Sequence, residues 1–188
     1  ELTFVSENTI YANKDAKYLF QNLNNVQNIE FDNFSTYGTA KFTGMFQGCN
    51  SVNELDLNSF ETKETIDMMA MFQNCTNLEK FDFSHFDTSQ VTSMINMFQG
   101  CGNLTELDVS KWNTAKVVRM AGLFDNCKKL TTLNVSNFDT SNVIDMSNMF
   151  KDCNSLTYLD VSNFNTSNVT NMSRMFNNCS SLTDLDLS

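Results

Sequence analysis

The sequence predicts an α/β repeat solenoid: one parallel β-sheet on one side, backed by short helices or 3₁₀ turns on the other. Three observations predict it. Cysteines stand at Cys49, Cys75, Cys101, Cys127, Cys153 and Cys179, each 26 residues after the last, which marks one structural position used repeatedly. An aromatic residue stands three places before each of them, at Phe46, Phe72, Phe98, Phe124, Phe150 and Phe176. Within each unit the apolar spacing changes from two to three and four, as it does where a strand gives way to a helical turn.

The strand half reads as in Leu156-x-x-Leu159-Asp160-Val161, where apolar and polar residues alternate and one face is buried. A second aromatic follows each of the first five cysteines at eleven residues: Phe60, Phe86, Trp112, Phe138 and Phe164. The other half, with Val169, Met172, Met175, Phe176 and Cys179, predicts a short α-helix or 3₁₀ turn, for which Thr166, Ser167 and Thr170 are available as caps.

The pattern extends backward, since Phe20, Leu23, Val26, Ile29, Phe31 and Phe34 hold the same offsets, with Leu23 in the cysteine place. Residues 19–188 are therefore expected to form a single solenoid of about seven 26-residue repeats. Residues 1–18 match loosely and suit a terminal capping segment, with Leu2, Phe4 and Val5 in a strand and Asn13 capping a helix that carries Ala16, Leu19 and Phe20. Leu185-Asp186-Leu187 is followed by no polar cap, so the array reads as truncated there, with an end open to end-to-end self-association.

A unit this short cannot bury its own apolar faces. Neighbours must stack, with strands about 4.8 Å apart, into ladders of like residues. The ladders account for 17 phenylalanines and 11 methionines in 188 residues.

The motif L-x-x-L-D-V-S-N-F-x-T-S-N-V-T-x-M-S-x-M-F-x-x-C resembles the 26-residue repeat of bacterial surface proteins in the BspA-like leucine-rich-repeat family, over roughly residues 19–188. The resemblance implies a leucine-rich-repeat-like right-handed superhelix, an extracellular place on a bacterial cell surface, and adhesion to host or neighbouring cells. Departures are few: Val52 stands for Leu, Leu123 for Met, Asn134 for the strand Asp, and Thr65 for a later Val.

Composition narrows the function. A net charge of −10 disfavours nucleic acid, because phosphate binding needs a basic face. No stretch approaches the apolar length of a membrane span, so direct membrane insertion is not expected. One histidine and six glycines leave no recurring Ser-His-Asp or Cys-His arrangement and no phosphate-cradling loop. The protein is expected to be non-enzymatic, without cofactor or metal.

The candidate partner-binding face is the polar side of the strands. Glu54, Lys80, Glu106, Thr132, Tyr158 and Asp184 share one column, which varies while the repeat is otherwise strict, and Asp56, Asp82, Asp108, Asn134, Asp160 and Asp186 share the next. Stacked like charges are unfavourable, so the acidic column invites a cation or basic partner, and a solvated face is the simpler account. A secondary basic patch is expected from Lys111, Lys116, Arg119, Lys128 and Lys129, in the unit that also carries Trp112. The cysteines read as buried reduced thiols, since parallel side chains disfavour the disulfide dihedral and paired zinc spacings are absent. His85 reads as a surface-corner residue. These features point to a binding module that offers a concave sheet to a protein or glycan. A structural spacer holding another domain off the cell surface is the alternative, and a carbohydrate-active enzyme is a remote one.

Overall fold

The computed structural model describes residues 2–3, 7–79 and 82–186. The predicted elements on Phe4, Val5, Lys80, Phe81 and Leu187 lie outside the described residues. The fold is β-rich and built from short parallel strands: β1 (Leu2–Thr3), β2 (Ile10–Tyr11), β3 (Asn28–Glu30), β4 (Phe34–Ser35), β5 (Glu54–Leu55), β6 (Tyr158–Asp160) and β7 (Asp184–Asp186). The small sheets are β1-β3-β5, β2-β4 and β6-β7. Partners lie about one repeat apart, as in Tyr158 with Asp184 and Leu159 with Leu185.

Two expectations are corrected. The strand column does not form one continuous sheet among the described residues: only short stretches of it pair, as β1-β3-β5 and β6-β7. The Asp108 carboxylate accepts the N–H of Ser110 at 2.9 Å, and in that stretch only the bridge between Glu106 and Thr132 is left. The unbroken ladder lies elsewhere, through parallel bridges that link Asp15, Lys41, Asp67, Ser93, Arg119, Asp145 and Asn171 in succession.

The second correction is larger: no helix is found among the described residues. The segments expected to be helical are chains of tight turns. In one of them Met97, Gln99 and Cys101 donate N–H groups to carbonyls three residues back at 3.0–3.2 Å. Between these, Met94, Asn96, Phe98 and Gly100 donate to Arg119, Ala121, Leu123 and Asp125 of the next unit at 2.8–3.1 Å. Backbone geometry forces this. Asn96 at φ 55° and Gly100 at φ 77° are left-handed, as are Ala70 and Asn74, Gly122 and Asn126, and Asn148 and Asp152. A right-handed helix cannot pass through a left-handed residue every fourth position, and Asn and Gly adopt that region at the least strain. The helix expected to start at Asn13 fails likewise, at Tyr18 and Asn22.

The apolar side chains still form the expected columns. Phe46, Phe72, Phe98, Phe124 and Phe150 are fully buried, and ring centroids along the column from Phe20 to Phe176 are 5.4–6.1 Å apart in stacked geometry. Met45, Met71, Met97 and Met149 are equally hidden. A buried threonine column ties the edge of this core: Thr88, Thr114 and Thr140 donate hydroxyls to Asn113, Asp139 and Asn165 carbonyls at 2.9–3.1 Å. The departure at Thr65 is accommodated in the same way, its buried hydroxyl donating to the Thr39 carbonyl at 3.1 Å.

Candidate functional site

Short strands ended by Asx turns set one row of side chains outward. Glu54, Asp56, Asp82, Glu106, Asp108, Asn134, Tyr158 and Asp184 are exposed there, and Asp160 is half-buried. Tyr158 and Asp184 are register partners, as are Asp160 and Asp186. Lys80 lies outside the described residues. A shallow groove of about 600 Å³ is lined by Glu106, Asp108, Thr132, Asn134, Tyr158 and Asp160. A second of about 450 Å³ is lined by Glu54, Asp56, Glu79 and Asp82.

The acidic column has a local task. Asp56, Asp82, Asp108, Asn134 and Asp160 each accept the N–H two residues later, at 2.7–3.0 Å. Asn134 makes the bond with its amide oxygen, so the acceptor and not the charge is what the turn requires. The bonds to Ser84 and Ser110 hold the Asp82 and Asp108 carboxyls below their ordinary range; Lys111 assists both, and the neighbouring Asp82 opposes the shift at Asp108. Among the described residues no group of His, Cys, Asp and Glu is arranged to hold a metal ion.

The basic residues have different neighbours. Lys111 lies by the Asp82 and Asp108 carboxylates, and Lys116 donates to the Gln90 side chain at 2.6 Å. Arg119 sits in the bridge ladder between Ser93 and Asp145. Lys128 acts on Asp152, and Lys129 is exposed on the turn that follows Cys127. Trp112 is buried in the second aromatic column, stacked 6.2 Å from Phe138. His85 is exposed, with Nε2 2.9 Å from the Leu57 carbonyl.

The cysteines are free thiols, buried from Cys49 to Cys153 and half-buried at Cys179. Each Sγ donates to the carbonyl of a phenylalanine in the preceding unit, from Cys49 with Phe20 to Cys179 with Phe150, at 3.0–3.3 Å. Burial pushes the Cys75, Cys101 and Cys127 thiols well above their ordinary value, and neighbouring thiols add to the shift.

Sequence reasoning missed one column. Gln21, Gln47, Gln73 and Gln99 stand two places before the cysteine position and pass an amide hydrogen bond forward from each to the next. Gln99 then donates to Asp125 at 2.9 Å, and Lys151 closes the far side at 3.2 Å. Stacked amides of this kind align whenever identical positions are layered. The period of 26 was sufficient to find them.

No curated protein matches the chain. Residues 14–106, and again residues 93–188, match the family described as Mycoplasma protein of unknown function, DUF285. The two matches together span the unit columns from the first bridge residue, Asp15, to the last described strand. The chain belongs to the DUF285 family.

Proposed function

We propose that this chain is a non-enzymatic binding module of a bacterial cell-surface protein. Its units form a leucine-rich-repeat-like right-handed solenoid of the BspA-like kind, and its strand side meets a host or neighbouring-cell protein or glycan. The observation that carries the proposal is the division of labour between columns. Phe, Met, Thr and Asx positions repeat because packing and turn closure fix them, whereas the exposed column of Glu54, Glu106, Thr132, Tyr158 and Asp184 differs from unit to unit.

The groove beside Tyr158 suits this role. An aromatic ring, carboxylates and an amide around one shallow hollow offer both an apolar face and hydrogen-bond partners, the mixture found in recognition sites. The test is retention of the chain on immobilised glycans and on cell-surface and matrix proteins. A Tyr158→Ala, Glu106→Ala double variant, with unchanged unfolding, should lose about tenfold or more in affinity for any partner found. Equal affinity in the double variant would move the site off this face. The spacer reading is favoured by the near-identity of Phe138-Asp139-Thr140-Ser141-Asn142-Val143 and Phe164-Asn165-Thr166-Ser167-Asn168-Val169, and it gains if no partner is retained.

A further inference from the structure

Two neighbouring columns follow the unbroken bridge ladder. One carries charge and reads Lys41, Asp67, Ser93, Arg119 and Asp145, one residue from each unit. The residues just before these include Ile66, Val118 and Ile144, of which Ile66 is 42% and Ile144 38% exposed. Their backbone is tied in register: Ile66, Thr92, Val118 and Ile144 each donate an N–H to the carbonyl one unit back at 2.9 Å.

The charged column keeps bonding capacity to spare. Asp67 accepts the Met69 N–H at 2.8 Å and the Thr43 hydroxyl at 2.9 Å, and Asp145 accepts the Ser147 N–H at 2.9 Å. These bonds orient the carboxylates without filling them, since each carboxylate offers about four acceptor sites. Arg119 is exposed, and among the described residues its guanidinium closes no ion pair or hydrogen bond. Such a group is suited to a planar, two-bond contact with a carboxylate.

The order of the charges matches its own reverse. Turned end for end about Ser93, the column sets Asp67 against Arg119 and Lys41 against Asp145. The same turn sets Ile66 against Val118, and the exposed Glu64 against the exposed Lys116. A slip of one unit destroys the match. It opposes Lys41 to Arg119 and Asp15 to Asp145 in one direction, and Asp67 to Asp145 in the other. Parallel alignment in register opposes every charge to itself.

We propose that this face docks on the same face of a second copy of this chain, antiparallel, about a two-fold axis at Ser93. Charge complementarity names the occupant and the register. A two-fold contact uses one patch twice, so each opposed pair occurs twice and the assembly closes at two chains. The isoleucine and valine side chains beside the ion pairs lose water in the same contact. Five units about 4.8 Å apart, across a segment about 20 Å wide, give each partner about 500 Å². That area is at the low end for specific association, so the dimer is a weak one. The column is separate from the groove beside Tyr158, and the proposal does not depend on what that groove binds.

Sedimentation of the 188-residue chain from low micromolar to submillimolar concentration tests this. The average mass should climb from one chain towards two and level there, and high salt should weaken the association. Arg119→Glu sets two acids against each other and should weaken it about tenfold or more. Glu64→Lys and Lys116→Glu, both on exposed side chains, should each weaken it, and their equimolar mixture should recover it, because every opposed pair is then again of unlike charge. The Tyr158→Ala, Glu106→Ala variant should dimerise as the unmodified chain does. A single-chain mass throughout, growth beyond two chains, undiminished association of Arg119→Glu, or a mixture no tighter than its parts would overturn the proposal.

Discussion

The backbone N–H of Ser110 donates to the Asp108 carboxylate at 2.9 Å, and the same bond recurs at Asn134 with Ser136. A neutral acceptor already serves at Asn134. Asp108→Asn is therefore expected to change stability by less than about 0.5 kcal/mol, and Asp108→Ala to lower it by about 0.5–1 kcal/mol, the net worth of one hydrogen bond. Urea unfolding measures both; equal losses would mean that charge and not the acceptor is required.

Trp112 interrupts a column of phenylalanines, and its buried indole Nε1 finds no partner among the described residues. Leaving a donor unsatisfied costs about 1–3 kcal/mol, which offsets the larger ring surface. Trp112→Phe should thus be neutral or stabilising by up to about 1 kcal/mol in thermal unfolding. A clear loss would show that the indole N–H is bonded.

Gly100, at φ 77°, lies where an added Cβ would come 2.4 Å from the Asn74 side-chain oxygen. Gly100→Ala combines left-handed strain with this clash and should cost about 1–2 kcal/mol. Asn74→Gly removes the clashing oxygen, and its separate effect on the left-handed position 74 cancels in a cycle. A double-mutant cycle is expected to give a coupling of at least about 0.5 kcal/mol, and strict additivity would mean that the amide simply swings aside.

Phe150 is fully buried and stacked between Phe124 at 5.8 Å and Phe176 at 5.7 Å. Phe150→Ala should destabilise by about 3–5 kcal/mol, because the cavity opens onto both neighbours. A cost below about 1 kcal/mol in urea unfolding would contradict a packed column.

Burial raises the thiols of Cys75, Cys101 and Cys127 well above the ordinary 9.0. In the unfolded chain they ionise near the ordinary value, so the stability tied to the neutral thiols is fully present below about pH 9 and is lost as pH rises above it. Each deeply buried thiol contributes about 1.4 kcal/mol of lost stability per pH unit in that window. Cys101→Ala should flatten the alkaline slope, measured by urea unfolding between pH 9 and 10, by about this amount. An unchanged slope would mean that other groups set it.

The period of 26 made the columns legible, because stacking identical positions needs only identical spacing. It did not settle local conformation. Met146, Met149, Phe150 and Cys153 are three or four apart in a turn chain as they would be in a helix, so side-chain spacing could not separate the two. Asn148 and Asp152, with Asn96 and Gly100 before them, carried the deciding signal, since left-handed formers at a spacing of four oppose a helix. The Asp column was read as a charged surface because spacing showed its outward direction; its bond to the N–H two residues on depends on turn geometry that spacing does not reveal. The individual partners of the basic residues, such as Gln90 for Lys116, depend likewise on how one unit folds into several segments.

In the turn segments each unit bonds to the next through the same four donors and acceptors, whichever pair is considered. Removing or inserting one whole unit would therefore rejoin the chain without creating a new kind of contact. Length becomes a variable separate from fold: the protein can lengthen or shorten in whole units, while an insertion of another size has to be accommodated as a bulge at one corner.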